Sequence, residues 1–215
     1  MGSVERRVAQ GLRAVTPAAA VDEAFVAFTS RGLRVKVVKL RKGFDMKTKI
    51  GIIGGSGLYD IDGLQGATWV NVDSPWGAPS DAILTGTLDG IEMAFLPRHG
   101  RGHVHSPSTV PYRGNIDALK RLGCTDVISV SACGSFREDM VPGDFVIVSD
   151  FIDRTFAREK SFFGTGCVAH VSVAHPVCAR LGDACEKAGK AAGVTVHRGG
   201  TYLAMEGPQF SSLAE

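Results

Sequence analysis

From residue 49 onward, one pattern repeats: a short apolar run ends at glycine or small polar residues, and the next run follows a turn or a helical stretch. Runs bounded in this way are typical of buried strands. The dipeptide Asp89-Gly90 predicts a tight hairpin between two of them. We predict strands at 49–53, 82–84, 91–96, 126–131, 144–148 and 201–205. Alternation of strands with helices predicts an α/β fold, in which a twisted mixed sheet is flanked by helices.

Two longer stretches carry the apolar spacing of amphipathic helices. In the first, 111–122, the side chains of Ile116, Leu119 and Leu122 fall on one face, and a glycine follows as a stop signal. The second helix is predicted at 176–192, again with a glycine beyond its end. Its apolar stripe consists of Val177, Leu181, Ala184, Cys185 and Ala188.

The first 45 residues differ from the rest of the chain. They hold nine Lys or Arg and four Asp or Glu, whereas residues 46–215 hold fifteen and eighteen. Their weak periodicity predicts a poorly ordered extension, or a start codon assigned upstream of the real one at Met46. An organelle transit segment fits less well, because Glu5, Asp22 and Glu23 are atypical of such segments. We therefore predict a single domain over 46–215.

Composition excludes several classes of protein. No apolar stretch approaches the roughly 18–20 residues that a membrane span needs, and the N-terminus lacks the apolar core of a secretory signal. The five cysteines are an odd number without a CxxC pair, which favours reduced thiols in the cytoplasm over disulfides or structural zinc. Because residues 46–215 are slightly acidic, we expect neither a nucleic-acid nor a membrane partner.

Clusters of small or basic residues follow the predicted strands, where ligands bind in open α/β sheets. The first is Gly54-Gly55-Ser56-Gly57, whose backbone N–H groups and serine hydroxyl can cradle an anion. An ordinary tight turn explains the same residues. The second cluster, 98–105, contains two arginines and three histidines. It favours phosphate binding over a metal site, because no acidic partner nearby in sequence would orient histidine ligands; a solvated loop remains the alternative.

Two further segments stand at strand ends. In Ser131-Ala132-Cys133-Gly134-Ser135 the small residues leave room for a ligand, and we expect Cys133 to be a buried inert thiol rather than a nucleophile. In the segment 205–211, Phe210 either stacks on a planar ring or fills the core of a turn.

Taken together, these segments resemble the trimeric purine nucleoside phosphorylase family, and most closely its members that act on 5′-methylthioadenosine. The likeness runs from about residue 49 to residue 215. The segments that carry it are Ile52-Ile53-Gly54-Gly55-Ser56-Gly57-Leu58, Pro97-Arg98-His99-Gly100, Ser131-Ala132-Cys133-Gly134-Ser135, Pro142-Gly143-Asp144, Phe151-Ile152-Asp153-Arg154-Thr155 and Glu206-Gly207-Pro208-Gln209-Phe210.

The resemblance implies phosphorolysis of 5′-methylthioadenosine to adenine and 5-methylthioribose 1-phosphate by a homotrimer, with phosphate as co-substrate and no metal or organic cofactor. It implies a phosphate site made by Ser56, Arg98, His99, Ser131 and Ala132. It also implies substrate contacts from His170 to the 5′ substituent across a subunit contact, from Met205 and Glu206 near the sugar, and from Phe210 to the purine. Ser211 stands where relatives specific for 6-oxopurines tend to carry Glu, which favours a 6-aminopurine.

The C-terminus departs from the family pattern. The family's purine-facing Asp, which assists departure of the base, would lie beyond Glu215, so no catalytic residue is assigned. Ser212 and Glu215 also stand three apart, as in the capping box that opens a helix. We therefore expect a chain that is incomplete at its C-terminus and has little activity by itself.

Three alternatives remain open at this stage. One is a phosphorylase of methylthioinosine or of a 6-oxopurine nucleoside. Another is a nucleoside-binding fragment without turnover. The third is a nicotinamide-dependent oxidoreductase, for which the glycine loop after the first strand is the only support, with spacing that does not match the dinucleotide fingerprint.

Overall fold

The computed structural model describes residues 24–27, 36–39, 48–55 and 61–214. Within the first 45 residues, strands β1 (Ala24–Ala27) and β2 (Lys36–Lys39) pair in antiparallel fashion. The prediction of a poorly ordered extension falls mostly outside the described residues and stays a prediction. Met46 and Ser56 also lie outside them.

A five-stranded mixed sheet forms the centre of the described structure. Its strands are β3 (Lys49–Gly54), β4 (Gln65–Val70), β5 (Ile83–Leu88), β6 (Ile91–Pro97) and β7 (Asp126–Ser129), in the spatial order β4-β5-β6-β3-β7. The pairs of β3 with β6 and of β3 with β7 are parallel, whereas β5 runs antiparallel to both of its neighbours. The predicted mixed α/β sheet is therefore present, and its three parallel strands all end at one edge.

The hairpin between β5 and β6 follows from two residues. Leu88 and Ile91 face each other across the ladder, and Asp89 and Gly90 between them adopt φ of 48° and 83°. A two-residue turn of this kind needs left-handed backbone at both positions, which Asp tolerates and Gly adopts without strain. The hairpin prediction is confirmed.

Alternation along β6 divides the core into two layers. Met93 and Phe95 pack into one cluster with Ile52, whereas Ala94 and Leu96 face the other side of the sheet. All five are buried, as expected for a central strand that is covered on both faces. The sheet thus gives rigid support to the carboxyl ends of its parallel strands.

Helix α1 (Tyr112–Arg121) covers the second of these layers through Ala118 and Leu119. The predicted helix is confirmed, but its predicted face is partly wrong, because Ile116 is 43% exposed. Small residues allow close approach instead: a Cβ on Gly114 would stand 2.6 Å from the carbonyl oxygen of Gly77. The helix therefore packs through Gly114 and Ala118, one turn apart, together with Leu119.

Residues beyond 130 form two small parallel pairs beside a second helix. The elements are β8 (Phe145–Ile147), β9 (Asp150–Asp153), α2 (Ala179–Ala191), β10 (Val196–Arg198) and β11 (Thr201–Ala204). Strand β8 pairs with β10, and β9 pairs with β11. The predicted strands at 144–148 and 201–205 are present, whereas β4, β9 and β10 had no predicted counterpart.

Helix α2 begins three residues later than predicted, and of its predicted apolar stripe Ala184 and Ala188 are buried. Its buried residues are Gly182, Ala184, Ala188 and Gly189, whereas Leu181 and Cys185 are only partly buried. The reason is close contact with β10, because a Cβ on Gly182 or Gly189 would collide with Arg198 or Val196. After the capping-box residue Ser212, residues 213–214 lie in a turn, and Glu215 lies outside the described residues.

Two sequence-based expectations concern the whole molecule. The cysteines all have free thiols in the structure. Within the described part of the chain, no helix has both the length and the apolar character that crossing a bilayer requires.

Candidate functional site

The carboxyl ends of β6, β3 and β7 meet at one edge of the sheet, in that spatial order. Gly54 pairs with Pro97, and the N–H of Arg98 donates to the carbonyl oxygen of Gly54 at 2.9 Å. On the other side of β3, the N–H of Val130 donates to the carbonyl oxygen of Ile53 at 2.8 Å. The exits of β6 and β7 are thus two strand spacings apart, roughly 10 Å. The structure brings the segments that contain Arg98, His99, Ser131 and Ala132 to this edge.

The loop that follows β6 is held by the carboxylate of Asp81. Oδ2 of Asp81 accepts from the backbone N–H of Arg101 at 2.6 Å and from its Nε at 2.9 Å, and Oδ1 accepts from Nη2 at 2.9 Å. The same guanidinium lies over the ring of Trp69, 4.1 Å from its centre. The hydrogen bonds from Arg101 hold the pKa of Asp81 below its ordinary value. The loop 98–105 therefore has a fixed shape before any ligand arrives.

A glycine within this loop allows its close approach to the sheet. Gly100 has a φ of 73°, and a Cβ there would stand 2.9 Å from the carbonyl oxygen of Ser80. The buried hydroxyl of Ser80 donates to the carbonyl oxygen of Pro97 at 2.7 Å, and its N–H donates to Oδ1 of Asn115 on α1. The loop is therefore tied to both the central strand and the covering helix.

His99 is held in one tautomer by its two neighbours. Its Nδ1 donates to the carbonyl oxygen of His105 at 2.8 Å, which leaves Nε2 to accept from Nε of Arg98 at 3.1 Å. The ring of His103 stacks on it, with 4.4 Å between the ring centres. Burial, with the charge of Arg98 as a further cause, lowers the pKa of His99. His99 is thus a neutral ring that orients the Arg98 guanidinium.

The β7 side of the edge is more open. Ser131 and Ala132 are exposed, and so is the thiol of Cys133. The expectation of a buried Cys133 is wrong, because β7 is an edge strand and nothing in the described structure covers the loop after it. Within residues 48–55 and 61–214, no group of three or more His, Cys, Asp or Glu residues could hold a metal ion.

The segment after β11 is anchored by Glu206. Its Oε1 accepts from the hydroxyl of Ser108, and its Oε2 accepts from the backbone N–H groups of Phe156 at 2.6 Å and Ala157 at 3.1 Å. These hydrogen bonds, that from Ser108 foremost, lower the pKa of Glu206 to about 2. The neighbouring Met205 is half-buried, and its sulfur lies 3.3 Å from the hydroxyl of Ser211.

The predicted purine and 5′-substituent residues are exposed. Phe210 is 97% exposed, so the alternative of a core phenylalanine is wrong. His170 lies within 159–175, where every residue is exposed. The placement of His170 across a subunit contact stays a prediction.

A cavity of about 220 Å³ lies beside the start of α1, and three of its wall residues, Ser108, Ala157 and Arg158, contact Glu206. Its walls are Trp76, residues 108–113 and residues 157–159. The guanidinium of Arg113 stacks over Trp76 and pairs with Glu159, and that of Arg158 lies over the ring of Tyr112. None of the side chains predicted to bind phosphate or nucleoside lines this cavity.

Sequence reasoning missed Ser108, Asp81 and Arg158, each of which holds part of this region. Asp81 lies twenty residues from Arg101, and Ser108 lies 98 residues from Glu206. A carboxylate shared between distant loops leaves no periodicity in the sequence, so these contacts became visible only in the fold.

Comparison with known proteins gives consistent results. The sequence profile of the phosphorylase superfamily matches residues 49–215. The chain is 75% identical over 170 residues to the S-methyl-5′-thioadenosine phosphorylase of Cereibacter sphaeroides, covering 79% of this chain and 59% of that protein. It is 68% identical over 166 residues to the protein of the same name from Rhodospirillum rubrum, covering 77% and 56%. The chain thus spans less than two thirds of the length of these relatives.

Solved structures show the same similarity. A methylthioadenosine phosphorylase from an antarctic soil metagenomic library is 47% identical, with a TM-score of 0.75 over 79% of this chain and 60% of that one. The methylthioadenosine phosphorylase of Schistosoma mansoni in its apo form is 37% identical, with a TM-score of 0.73 over 77% and 66%. The predicted fold, a mixed sheet flanked by helices of the nucleoside phosphorylase type, is confirmed.

Proposed function

The chain belongs to the phosphorylase superfamily, and we propose that it acts in the phosphorolysis of 5′-methylthioadenosine, with inorganic phosphate as co-substrate. Two relatives, at 75% and 68% identity, are named for this substrate, and they support the proposal. Because the chain spans 59% and 56% of their lengths, the activity of the whole protein is itself part of the proposal.

In the proposed reaction an oxygen of phosphate forms a bond to C1′ of the ribosyl group as the bond from C1′ to N9 of adenine breaks. The electron pair of the broken bond leaves with the base, which takes up a proton to become neutral adenine. The products are adenine and 5-methylthioribose 1-phosphate. Positive charge develops on the sugar in the transition state, so an oriented phosphate dianion stabilises it and is aligned for attack.

The observation that carries the proposal is the meeting of three strand ends beside Arg98. A guanidinium that is oriented by a neutral histidine, next to backbone N–H groups of the β3 and β7 exits, is suited to hold a dianion. The terminal nitrogens of Arg98 have no hydrogen-bond partner within the described residues, and they supply the charge. Ser56, Ser131 and Ala132 complete the proposed phosphate site with hydroxyl and N–H donors.

His99 has a specific part in this site. Because its Nδ1 hydrogen is used by His105, its Nε2 is an acceptor. Nε2 has a single lone pair, so it accepts either from Arg98, as in the structure, or from the hydroxyl of monohydrogen phosphate. A neutral His99 therefore adds no charge of its own and leaves the positive charge to Arg98.

The nucleoside is proposed to lie across the remaining residues. The exposed ring of Phe210 is available to stack on the purine. Ser211, in place of a glutamate that would accept from N1–H of a 6-oxopurine, favours adenine. Met205 is placed toward the sugar, whereas the carboxylate of Glu206 accepts from Ser108 and from two backbone N–H groups. No metal or organic cofactor enters the proposed reaction, and exposed free thiols favour a reducing, cytoplasmic location.

We also propose a homotrimer, in which the exposed stretch 159–175 contacts a second copy. Phe162 and Phe163 are 39% and 45% exposed there, and Val168 and Val171 are 73% and 68% exposed. A monomer in water gains nothing from presenting so many apolar side chains, whereas a subunit contact would bury them. This contact would carry His170 toward the 5′ substituent of a neighbouring site.

The first test is Arg98→Gln in the full chain, with Arg121→Gln on α1 as the matched control. Loss of a charged hydrogen-bond donor should weaken phosphate binding about 10- to 100-fold. Calorimetry would measure phosphate affinity, and phosphate-dependent release of adenine from 5′-methylthioadenosine would measure turnover. 5′-Methylthioinosine and inosine serve as competing substrates. Equal phosphate affinity in the two variants, or preference for a 6-oxopurine, would contradict the assignment.

A further inference from the structure

Glu206 lies at the meeting point of three loops. Besides its own segment after β11, it contacts the loop after the proposed phosphate residues through Ser108. It also contacts the loop after β9 through the N–H groups of Phe156 and Ala157. Its side chain is 10% exposed, so little of the carboxylate remains for another partner. These contacts differ from those of a sugar ligand, whose oxygens would need to face a substrate.

The guanidinium of Arg158 contacts the same meeting point of the three loops, which we call the Glu206 junction. Its Nη2 donates to the carbonyl oxygens of Met205 at 2.9 Å and Glu206 at 2.7 Å, and its Nε lies 3.7 Å from Oε1 of Glu206. Its guanidinium stands 5.5 Å from the ring centre of Tyr112, whose hydroxyl donates to the carbonyl oxygen of Pro107 at 2.6 Å. The loops at 107–112, 156–158 and 205–206 are thus joined by one network.

We propose that Glu206 is a positioning residue, which joins these three loops and so fixes the segment 207–211 against the phosphate side of the site. The inference rests on the proposed function, because that function makes 207–211 the purine-binding segment. Glu206 acts through Phe210, four residues further on, rather than by contact with the sugar. The residues that it joins are Ser108, Phe156, Ala157 and Arg158.

The chemistry of the junction requires a carboxylate. An ionised carboxyl group offers acceptors only, and here it receives three hydrogen bonds from a hydroxyl and two backbone N–H groups. A glutamine offers one acceptor oxygen for the two N–H groups, its NH2 group would have to donate to the hydroxyl of Ser108, and the negative charge beside Arg158 would be lost. Because the pKa of Glu206 is about 2, the group stays ionised near neutral pH, where the binding measurements are made.

The phosphate side does not depend on this junction to the same extent. The loop 98–105 is held by Asp81 and by the sheet, whereas Phe210 is 97% exposed and has no such support. Weakening the junction should therefore lower the affinity for the purine far more than the affinity for phosphate. This asymmetry distinguishes positioning by Glu206 from a general loss of structure.

The test compares Glu206→Gln with Glu186→Gln in the full chain. Glu186 pairs with Lys190 on the surface of α2, so its replacement removes a carboxylate without touching the three loops. Hydrogen exchange measured by mass spectrometry would follow the amides of Phe156 and Ala157 together with the peptides 106–110 and 207–211. Calorimetry would give the affinities for adenine and for inorganic phosphate.

For Glu206→Gln we expect faster exchange in all three loops together, adenine binding weakened at least tenfold and phosphate binding changed less than threefold. Ser108→Ala removes only one of the three hydrogen bonds, so it should change the exchange rates and the two affinities in the same direction but by less. Faster exchange confined to 205–211, or equal weakening of both ligands, would overturn the inference. If the unaltered chain binds no adenine, the proposed function fails, and the exchange pattern alone then decides for or against the junction.

Discussion

The residues before and after 130 are built in different ways. In the first region, Phe95 and Ile52 are fully buried within a sheet that is covered on both faces. In the second region, Phe136 is 85% exposed and Phe210 is 97% exposed, and the strands form two separate pairs. The described structure thus combines a closely packed half with a half whose apolar side chains largely face outward.

The difference teaches how each half of the proposed site is held. The proposed phosphate residues Arg98 and His99 follow a central strand, so sheet packing and the Asp81 carboxylate fix them. The proposed purine residues follow β11, which has a single neighbour strand, and their position depends on polar contacts at Glu206. Packing supports the first half of the site, and hydrogen bonds between loops support the second.

The largest expected effect is on stability, from truncation of one phenylalanine in each region. Phe95→Ala should lower the free energy of unfolding by about 3–5 kcal/mol, because it leaves a cavity in the core. Phe136→Ala removes the same atoms from an exposed position and should change it by less than about 0.5 kcal/mol. Urea denaturation followed by circular dichroism measures both. A similar loss for the two variants would mean that the second region is as well packed as the first.

A second prediction compares two forked Arg–Asp pairs. Asp81 binds Arg101 beside the proposed phosphate residues, whereas Asp139 binds Arg137 in the same forked manner on the surface. Asp81→Asn should weaken phosphate binding by about three- to tenfold, since loss of a charged hydrogen bond loosens the loop. Asp139→Asn should leave phosphate affinity unchanged. Calorimetric titration with phosphate distinguishes the pairs, and an equal response of both would show that the loop needs no anchor.

The smallest expected effect concerns acid stability in the second region. Hydrogen bonds from Lys160 and Thr155 lower the pKa of Asp153 from 3.8 to about 2. A lowered pKa stabilises the folded state above about pH 4, and that contribution is lost as the pH falls toward 2. The thermal midpoint of Asp153→Asn should therefore lie about 2 °C below that of the unaltered chain at pH 5.5, and this gap should shrink to less than half near pH 2.5. A constant gap across this range would exclude titration of Asp153 as its cause.

Local signals in the sequence predicted the local features of the fold. The Asp89-Gly90 turn, the central strands and both helices depend on residues near one another in the chain. Strand β4 was missed because Gly66 and Thr68 interrupt its apolar residues, so it has no continuous apolar run, and five of its six residues are exposed. The predicted buried faces of α1 and α2 were partly wrong, because glycines allow closer packing than an apolar stripe predicts.

The candidate site also has features that the sequence predicted and features that it did not. The resemblance assigned Arg98, His99, Ser131 and Ala132 to one site, and the rule that parallel strands end at one edge agrees with that grouping. The prediction that Cys133 is buried was wrong. Its exposure depends on what covers an edge strand, and a sequence pattern does not contain that information. The junction at Glu206 joins residues 48 and 98 positions apart, so only the folded chain reveals it.

The open loop after β7 also has a practical consequence. Cys133 presents its thiol to solvent directly beside Ala132, whereas the thiols of Cys124 and Cys185 are partly buried. With Cys167 and Cys178 replaced by serine, a single maleimide fluorophore would attach at the rim of the proposed anion site. The chain thereby contains its own attachment point for an optical sensor, whose emission would follow the arrival of phosphate in real time.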